Sequence, residues 1–110
     1  MWIVAPSVRQ VRCWLAARAP TWPRGLLTAR LDVPWARTAA ELGCVAVQVG
    51  EPALDRAGIA AIHAAGFLAA AYTVNDVARA RALLAAGVDA LITDVPADLR
   101  DGLADLPGIA

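Results

Sequence analysis

Leu83-Leu84-Ala85-Ala86-Gly87-Val88-Asp89-Ala90-Leu91-Ile92-Thr93-Asp94 is the stretch that decides the fold. It reads as the end of a helix, a glycine joint, and a strand entered at once. A glycine directly after a helix takes the left-handed conformation without a Cβ clash, so it stops the helix and turns the chain. The design occurs twice upstream. Ile62-His63-Ala64-Ala65-Gly66 runs into Phe67-Leu68-Ala69-Ala70-Ala71-Tyr72-Thr73-Val74, and Ala39-Ala40-Glu41-Leu42-Gly43 runs into Cys44-Val45-Ala46-Val47-Gln48-Val49. Glycines spaced roughly two dozen residues apart are a repeat signal. The strands are continuous apolar runs rather than clean alternations. That predicts strands covered on both faces, hence a parallel sheet with crossover helices.

Working outward, Asn75-Asp76 can cap a helix over 77–86. Its inner stripe is Val77, Ala80, Leu83, Leu84 and Gly87, with Arg79 and Arg81 facing out. Asp55 sits in the first turn of the preceding helix, where its charge suits the dipole. Nearer the start, 2–6 reads as a strand, Ser7 as the cap of a helix over 8–18, and 19–23 as a proline-punctuated loop. A second strand covers 25–31. A short helix covers 34–42, with Pro34 allowed in its first turn. A last helix covers 97–104 and ends at Leu106-Pro107-Gly108.

The chain therefore predicts one α/β domain over 1–110, with about five parallel strands alternating with helices. Two architectures compete: a small open doubly wound sheet, and part of a (β/α)8 barrel, whose full size is about 250 residues. No glycine-rich nucleotide loop follows any strand, which counts against the first. Polar residues gather where strands end, at Ser7, Thr28 with Arg30, Gln48, Tyr72 with Thr73 and Asn75, and Thr93 with Asp94. In barrels that rim carries the site. The expectation is a partial TIM barrel.

Composition narrows the partners. The 110 residues are 59% hydrophobic and 18% charged, with a formal net charge of zero. No strong field is present to attract nucleic acid or anionic lipid. All ten basic residues are Arg, which removes Schiff-base chemistry and a P-loop lysine. It leaves guanidinium groups suited to phosphate and carboxylate. Cys13 and Cys44 form no CxxC or metal spacing and read as free thiols in a reduced, cytoplasmic protein. Residues 1–6 are too short for a signal-peptide core and lack a basic start. The apolar run 57–74 contains His63 and Gly66 and is dominated by Ala, so it predicts a helix followed by a buried strand rather than a membrane span.

Ala71-Tyr72-Thr73-Val74-Asn75-Asp76, a helix, and then Gly87 through Asp94-Val95-Pro96 resemble the C-terminal end of the glycerophosphodiester phosphodiesterases. That family shows an aromatic-Thr-Val-Asn strand end, a Leu-rich helix and a Gly-Val-Asp-Gly-Ile-Ile-Thr-Asp-x-Pro strand. The order upstream also matches, with a strand beginning Arg24-Gly25-Leu26-Leu27 and then the Cys44 and Phe67 strands. The resemblance covers nearly the whole chain, as the second half of the family's barrel. It implies a (β/α)8 fold, hydrolysis of glycerophosphodiesters to glycerol 3-phosphate and an alcohol, and a divalent cation, Ca²⁺ or Mg²⁺. It also implies that the acid/base histidines and metal carboxylates belong to a first half, opened by a His-Arg-Gly motif, that is not in this sequence. No catalytic and no metal-binding residue is therefore assigned here. Tyr72 stands where the family usually has Trp, which keeps an aromatic wall with a polar tip. Ala5-Pro6-Ser7 stands where it often has Ser-Ser-Phe, which removes an apolar group expected near the glycerol.

Tyr72, as a substrate-facing wall, and Asn75, as its hydrogen-bonding neighbour, are the candidate substrate-binding residues; plain helix capping competes for Asn75. Arg30 ends a strand and could meet a phosphate, with a surface ion pair as the alternative. His63, the one histidine, reads as a surface or dipole-facing side chain, and one histidine cannot be both acid and base. Asp94, at a strand end, could bind metal or orient a partner, with a turn-capping role as the preferred reading; Asp89 reads as structural at the opposite barrel face, and Glu51 and Asp32 as solvated loop charges. The tryptophans, Trp2, Trp14, Trp22 and Trp35, read as core or edge packing. A non-enzymatic alternative is a half-barrel that pairs with itself or another barrel through exposed strand edges. A different phosphate-binding barrel ranks last, because Asp94-Val95-Pro96-Ala97 is no glycine-rich anion loop.

Overall fold

The computed structural model describes residues 24–106 together with the strand Ile3–Ala5. The sequence-predicted helix over 8–18, the loop over 19–23, Cys13, Trp2, Trp14 and Trp22 lie outside the described residues. Strand β1 is Ile3–Ala5, β2 is Arg24–Thr28, helix α1 is Trp35–Glu41, β3 is Ala46–Gly50 and a single 3-10 turn is Glu51–Ala53. Helix α2 is Arg56–Ala64, β4 is Leu68–Tyr72, α3 is Val77–Ala85, β5 is Ala90–Leu91 and α4 is Pro96–Gly102.

The strands form one sheet in the order β1-β2-β3-β4-β5, every neighbour parallel. That order separates the two architectures. Crossovers between parallel strands are right-handed in about 98% of cases. Steps that always go the same way therefore lay their helices on one face, whereas a doubly wound sheet needs a reversal of strand order. No reversal occurs here. One-sided winding is the geometry of a barrel wall.

The register sorts the side chains. Leu26, Val47 and Ala69 lie abreast across β2, β3 and β4, and Val49 lies beside Ala71, which lies beside Leu91. This face packs under Ala39 of α1, Ile59 and Ile62 of α2, Ala80 and Leu83 of α3, and Leu99 of α4. Trp35 joins it edge-on to Phe67, ring centroids 6.5 Å apart at 71°. Burying a side chain such as Ile62 or Leu83 contributes about 2 kcal/mol. That exceeds the roughly 1 kcal/mol net of one hydrogen bond, so this face holds the fold.

The alternate residues form the other face. Gly25, Ala46 and Leu68 make one row, Leu27, Gln48, Ala70 and Ala90 the next, and Gly50 with Tyr72 the last. None of them belongs to the core cluster. Leu68 is 47% exposed and Ile92 40%. The expected two-sided cover is thus corrected: among the described residues the helices pack on one face. The other face looks equally apolar in sequence because Gly25, Leu27, Ala46, Leu68, Ala70 and Ala90 line it, as in a wall facing the inside of a barrel.

The glycine joints are the repeated device. After each of α1, α2 and α3 the residue past the glycine donates five back, Cys44 to Ala39 O at 2.9 Å, Phe67 to Ile62 O at 3.1 Å and Val88 to Leu83 O at 3.1 Å. This is the Schellman pattern, and it needs the positive φ seen at Gly43, Gly66 and Gly87. Several predicted boundaries shift. Strand β2 stops at Thr28, whose hydroxyl bonds Arg30 O at 2.7 Å and bends the chain. Pro34 caps α1 instead of opening it. Asp55 and Asp76 are true N-caps, accepting from the Gly58 and Arg79 N–H groups at 2.8 Å each. Strand β4 ends at Tyr72, and β5 is only two residues long. No helix of the described residues is long and apolar enough to cross a membrane.

A Cβ at Gly66 meets no atom within 4 Å, while φ there is +90°. Gly66→Ala therefore costs backbone strain alone, about 1–2 kcal/mol, read as a lower urea midpoint with an unchanged slope.

Candidate functional site

The rim is built where the strands end. Tyr72 closes β4 on the inner face, half-buried, and its hydroxyl has no hydrogen-bond partner among the described residues. The peptide that follows, Tyr72–Thr73, is cis. Three residues on, Asn75 reaches across to the end of β5. Its Oδ1 accepts from the Thr93 hydroxyl and the Asp94 N–H at 3.0 Å each, and its Nδ2 donates to Asp94 Oδ2 at 3.3 Å. Thr93 Oγ1 in turn accepts from the Val95 N–H at 3.0 Å. Asn75 is thus not the helix cap, a task Asp76 performs. Three of its roughly four hydrogen-bonding positions are committed to the neighbouring strand end. Asp94 is held by Asn75, and the turn at Val95 is closed by Thr93.

Arg30 lies just past β2. Its Nε and Nη2 donate to Asp32 Oδ1 and Oδ2 at 2.7 and 2.5 Å, with both side chains more than 60% exposed. Bonding to the Asp32 carboxylate raises the Arg30 guanidinium above its usual value, and the same bond lowers Asp32. An exposed pair of this kind contributes little to stability. Asp32 is therefore paired rather than free in solvent.

Arg79 corrects the expectation of an outward-facing helix arginine. Its Nε donates to Glu51 Oε1 at 2.5 Å, and its Nη2 to Glu51 O at 3.1 Å and Leu54 O at 2.6 Å. One guanidinium thereby ties α3 to the turn after β3, and Glu51 is its partner rather than a solvated loop charge. Arg81 likewise holds Asp105 and Gly102 O, joining α3 to the end of α4. The sequence carries a signal for Arg79: it lies three residues after the cap Asp76, at the helix end nearest the strand ends.

At the opposite end of the strands, His63 Nε2 lies 2.7 Å from Asp89 Oδ2, which also accepts from the Ala69 N–H at 2.8 Å. Burial alone would push the Asp89 carboxyl up; the bonds from Ala69 and His63 outweigh it and hold it below its usual 3.8. Asp89 precedes β5, so His63 stands far from the Tyr72 end. Cys44 is buried and free, and burial pushes its thiol up while Arg24 pulls weakly the other way.

A divalent cation needs converging oxygen or nitrogen ligands. Among the described residues no three His, Cys, Asp or Glu side chains converge. The rim carboxylates Asp32, Glu51 and Asp94 are each engaged by Arg30, Arg79 and Asn75. The described residues do not fit such a cation.

The model of the glycerophosphoryl diester phosphodiesterase family matches residues 9–98 of the chain. No curated protein matches it. Among solved structures, the chain is similar to an Oleispira antarctica phosphodiesterase in complex with the product sn-glycerol-3-phosphate. The TM-score is 0.83 at 23% identity, covering 93% of this chain and 42% of that one. A Silicibacter pomeroyi structure assigned as a glycerophosphoryl diester phosphodiesterase gives a TM-score of 0.75 at 21% identity, with 87% and 35% covered. A Parabacteroides distasonis glycerophosphodiester phosphodiesterase gives 0.70 at 18%, with 87% and 40% covered. The chain thus spans less than half the length of these structures, and the fold is that of part of their barrel.

Two outcomes follow from the rim and its opposite end. Asn75→Ala removes three partly exposed hydrogen bonds and is expected to cost about 1–2 kcal/mol, with faster amide exchange at Asp94 and Val95. A carboxyl whose folded value lies below its unfolded one contributes stability that is complete above the unfolded value and drains as the pH falls through the folded one. Asp89→Asn should therefore flatten the fall of the urea midpoint below pH 3.8. An unchanged acid limb would show that the pair with His63 and Ala69 adds no stability.

Proposed function

The chain belongs to the glycerophosphoryl diester phosphodiesterase family, and on that premise we propose that it forms the C-terminal half of a barrel hydrolysing glycerophosphodiesters to glycerol 3-phosphate and an alcohol. The observation that carries the reading is the fit of 93% of this chain onto 42% of a phosphodiesterase holding glycerol 3-phosphate. This chain builds a rim of Tyr72, Asn75 and the β5 end. In-line attack on a phosphodiester needs a general base, a general acid and charge neutralisation at phosphorus. The one histidine is bonded to Asp89 at the wrong end of the strands. The acid, the base and the ligands of a Ca²⁺ or Mg²⁺ ion therefore come from the other half of the barrel. This half supplies the Tyr72 wall, the Asn75 latch that fixes two strand ends, and Arg30, which reaches a phosphate by exchanging Asp32 for it. A reduced cytoplasmic setting suits the free thiol of Cys44.

A second reading is a half-barrel that acts by association with itself or another barrel. The exposed Leu68 and Ile92 on the uncovered sheet face favour it. Size exclusion with light scattering weighs it: a well-behaved monomer counts against self-association.

The chain alone is expected to show no turnover of glycerophosphocholine with Ca²⁺ or Mg²⁺, and turnover once joined to a family N-terminal half. Robust hydrolysis by the chain alone overturns the division of labour.

A further inference from the structure

Two glycines sit where the backbone asks for none. Gly50 closes β3, and Gly58 lies in the first turn of α2. Neither has a positive φ, and glycine is a poor choice in strand and helix alike. Space explains both, and one loop takes it. A Cβ at Gly50 would stand 3.2 Å from Ala29 O, and one at Gly58 would stand 2.7 Å from Leu31 Cδ1. The loop after β2 is therefore seated on the end of a strand and the start of a helix. Over 29–34 Leu31 alone is not exposed, and it packs against the core. Its neighbour is held as well. The Thr28 hydroxyl donates to Arg30 O at 2.7 Å and accepts from the Arg30 N–H at 3.4 Å. A surface loop tied at this many points loses little entropy when an exposed side chain on it meets a ligand. That side chain is Arg30, and its fork already holds an oxyanion, the Asp32 carboxylate, through two N–H groups.

We propose that the loop over 29–32 is a rigid mount that presets Arg30 for a phosphate, and that Leu31, wedged against Gly58, is its positioning residue. The identity of the anion rests on the reading of the chain as half of a phosphodiesterase barrel; the mount specifies what aims the guanidinium of this half. Asp32 is the internal stand-in. Carboxylate and phosphate both take a guanidinium through two parallel N–H donors. A phosphate therefore enters by replacing Asp32 on a side chain whose backbone stays where the loop holds it. Without the wedge, Arg30 has to be ordered at the moment of binding, and affinity falls.

The test follows the Arg30 Nε–H signal by NMR in the 110-residue chain during titration with inorganic phosphate. Glycerol, and sodium chloride at matched ionic strength, are the controls. Phosphate is expected to shift the signal and the controls to leave it in place. Asp32→Asn should tighten phosphate about threefold, the worth of an exposed ion pair. Leu31→Val shortens the wedge by one carbon and should weaken phosphate about threefold, with a more mobile Arg30 Nε. Gly58→Ala should weaken it likewise, although alanine favours the helix. The two together should restore the affinity, because the methyl group added at one site fills what the other gave up. A merely structural wedge would lower the urea midpoint and leave the phosphate titration alone. If Gly58→Ala does not fold, the phosphate titration of Leu31→Val decides. An Arg30 signal unmoved up to about 50 mM phosphate, single variants that titrate like the parent, a pair no better than the singles, or weaker binding in Asp32→Asn overturns the inference. Turnover by a completed barrel judges the earlier reading separately. Hydrolysis with a silent Arg30 signal loses this inference alone, and a responding Arg30 without hydrolysis loses that reading alone.

Discussion

Every pairing in this sheet joins, in parallel, a strand to the next one along the chain. That one constraint propagates through everything else. Among the described residues it places the crossover helices on a single side, and it gives the sheet one face packed into the core and one in which Gly and Ala alternate with Leu27, Gln48, Leu68 and Tyr72. It also lines up the strand ends, so that the loops after β2, β3, β4 and β5 meet at one rim. The glycine joints serve the same constraint, because each must aim a helix end into a strand beside its predecessor.

At the rim, side chains finish what the backbone ladder leaves off. Strand β5 pairs over only two residues, too few to fix the loop beyond it. Asn75 continues the pairing with its amide, imitating the donor and acceptor of a peptide group. Arg79 does the equivalent between α3 and the turn after β3, satisfying two carbonyls and a carboxylate at once. Arg30 with Asp32 and Arg79 with Glu51 neutralise their charges in pairs, while Asp94 keeps its own beside the neutral Asn75 amide.

The repeat was legible in the letters because Gly43, Gly66 and Gly87 recur with the same surroundings. The helix caps Asp55 and Asp76 were legible to within a position. The partial-barrel architecture followed from strand alternation, and the family from Tyr72–Asn75 with Gly87–Pro96. Less visible was why those two motifs travel together. Asn75 bonding Thr93 and Asp94 is a contact across eighteen or nineteen residues, and local propensity says nothing about such distances. The same holds for Arg79 with Glu51 and Arg81 with Asp105, where helical periodicity sends a guanidinium outward and tertiary structure finds it an anion. Gln48, the one polar letter in an apolar run, was visible as a rim residue. Only the register shows that it faces inward without a partner.

The inner wall of Gly25, Ala46, Ala70 and Ala90 has a volumetric consequence. Barrel interiors are filled by side chains to the density of an organic crystal. At these four positions the wall fills little of that space, so whatever closes over them must bring the bulk. The unfilled volume is therefore itself a specification of whatever packs there.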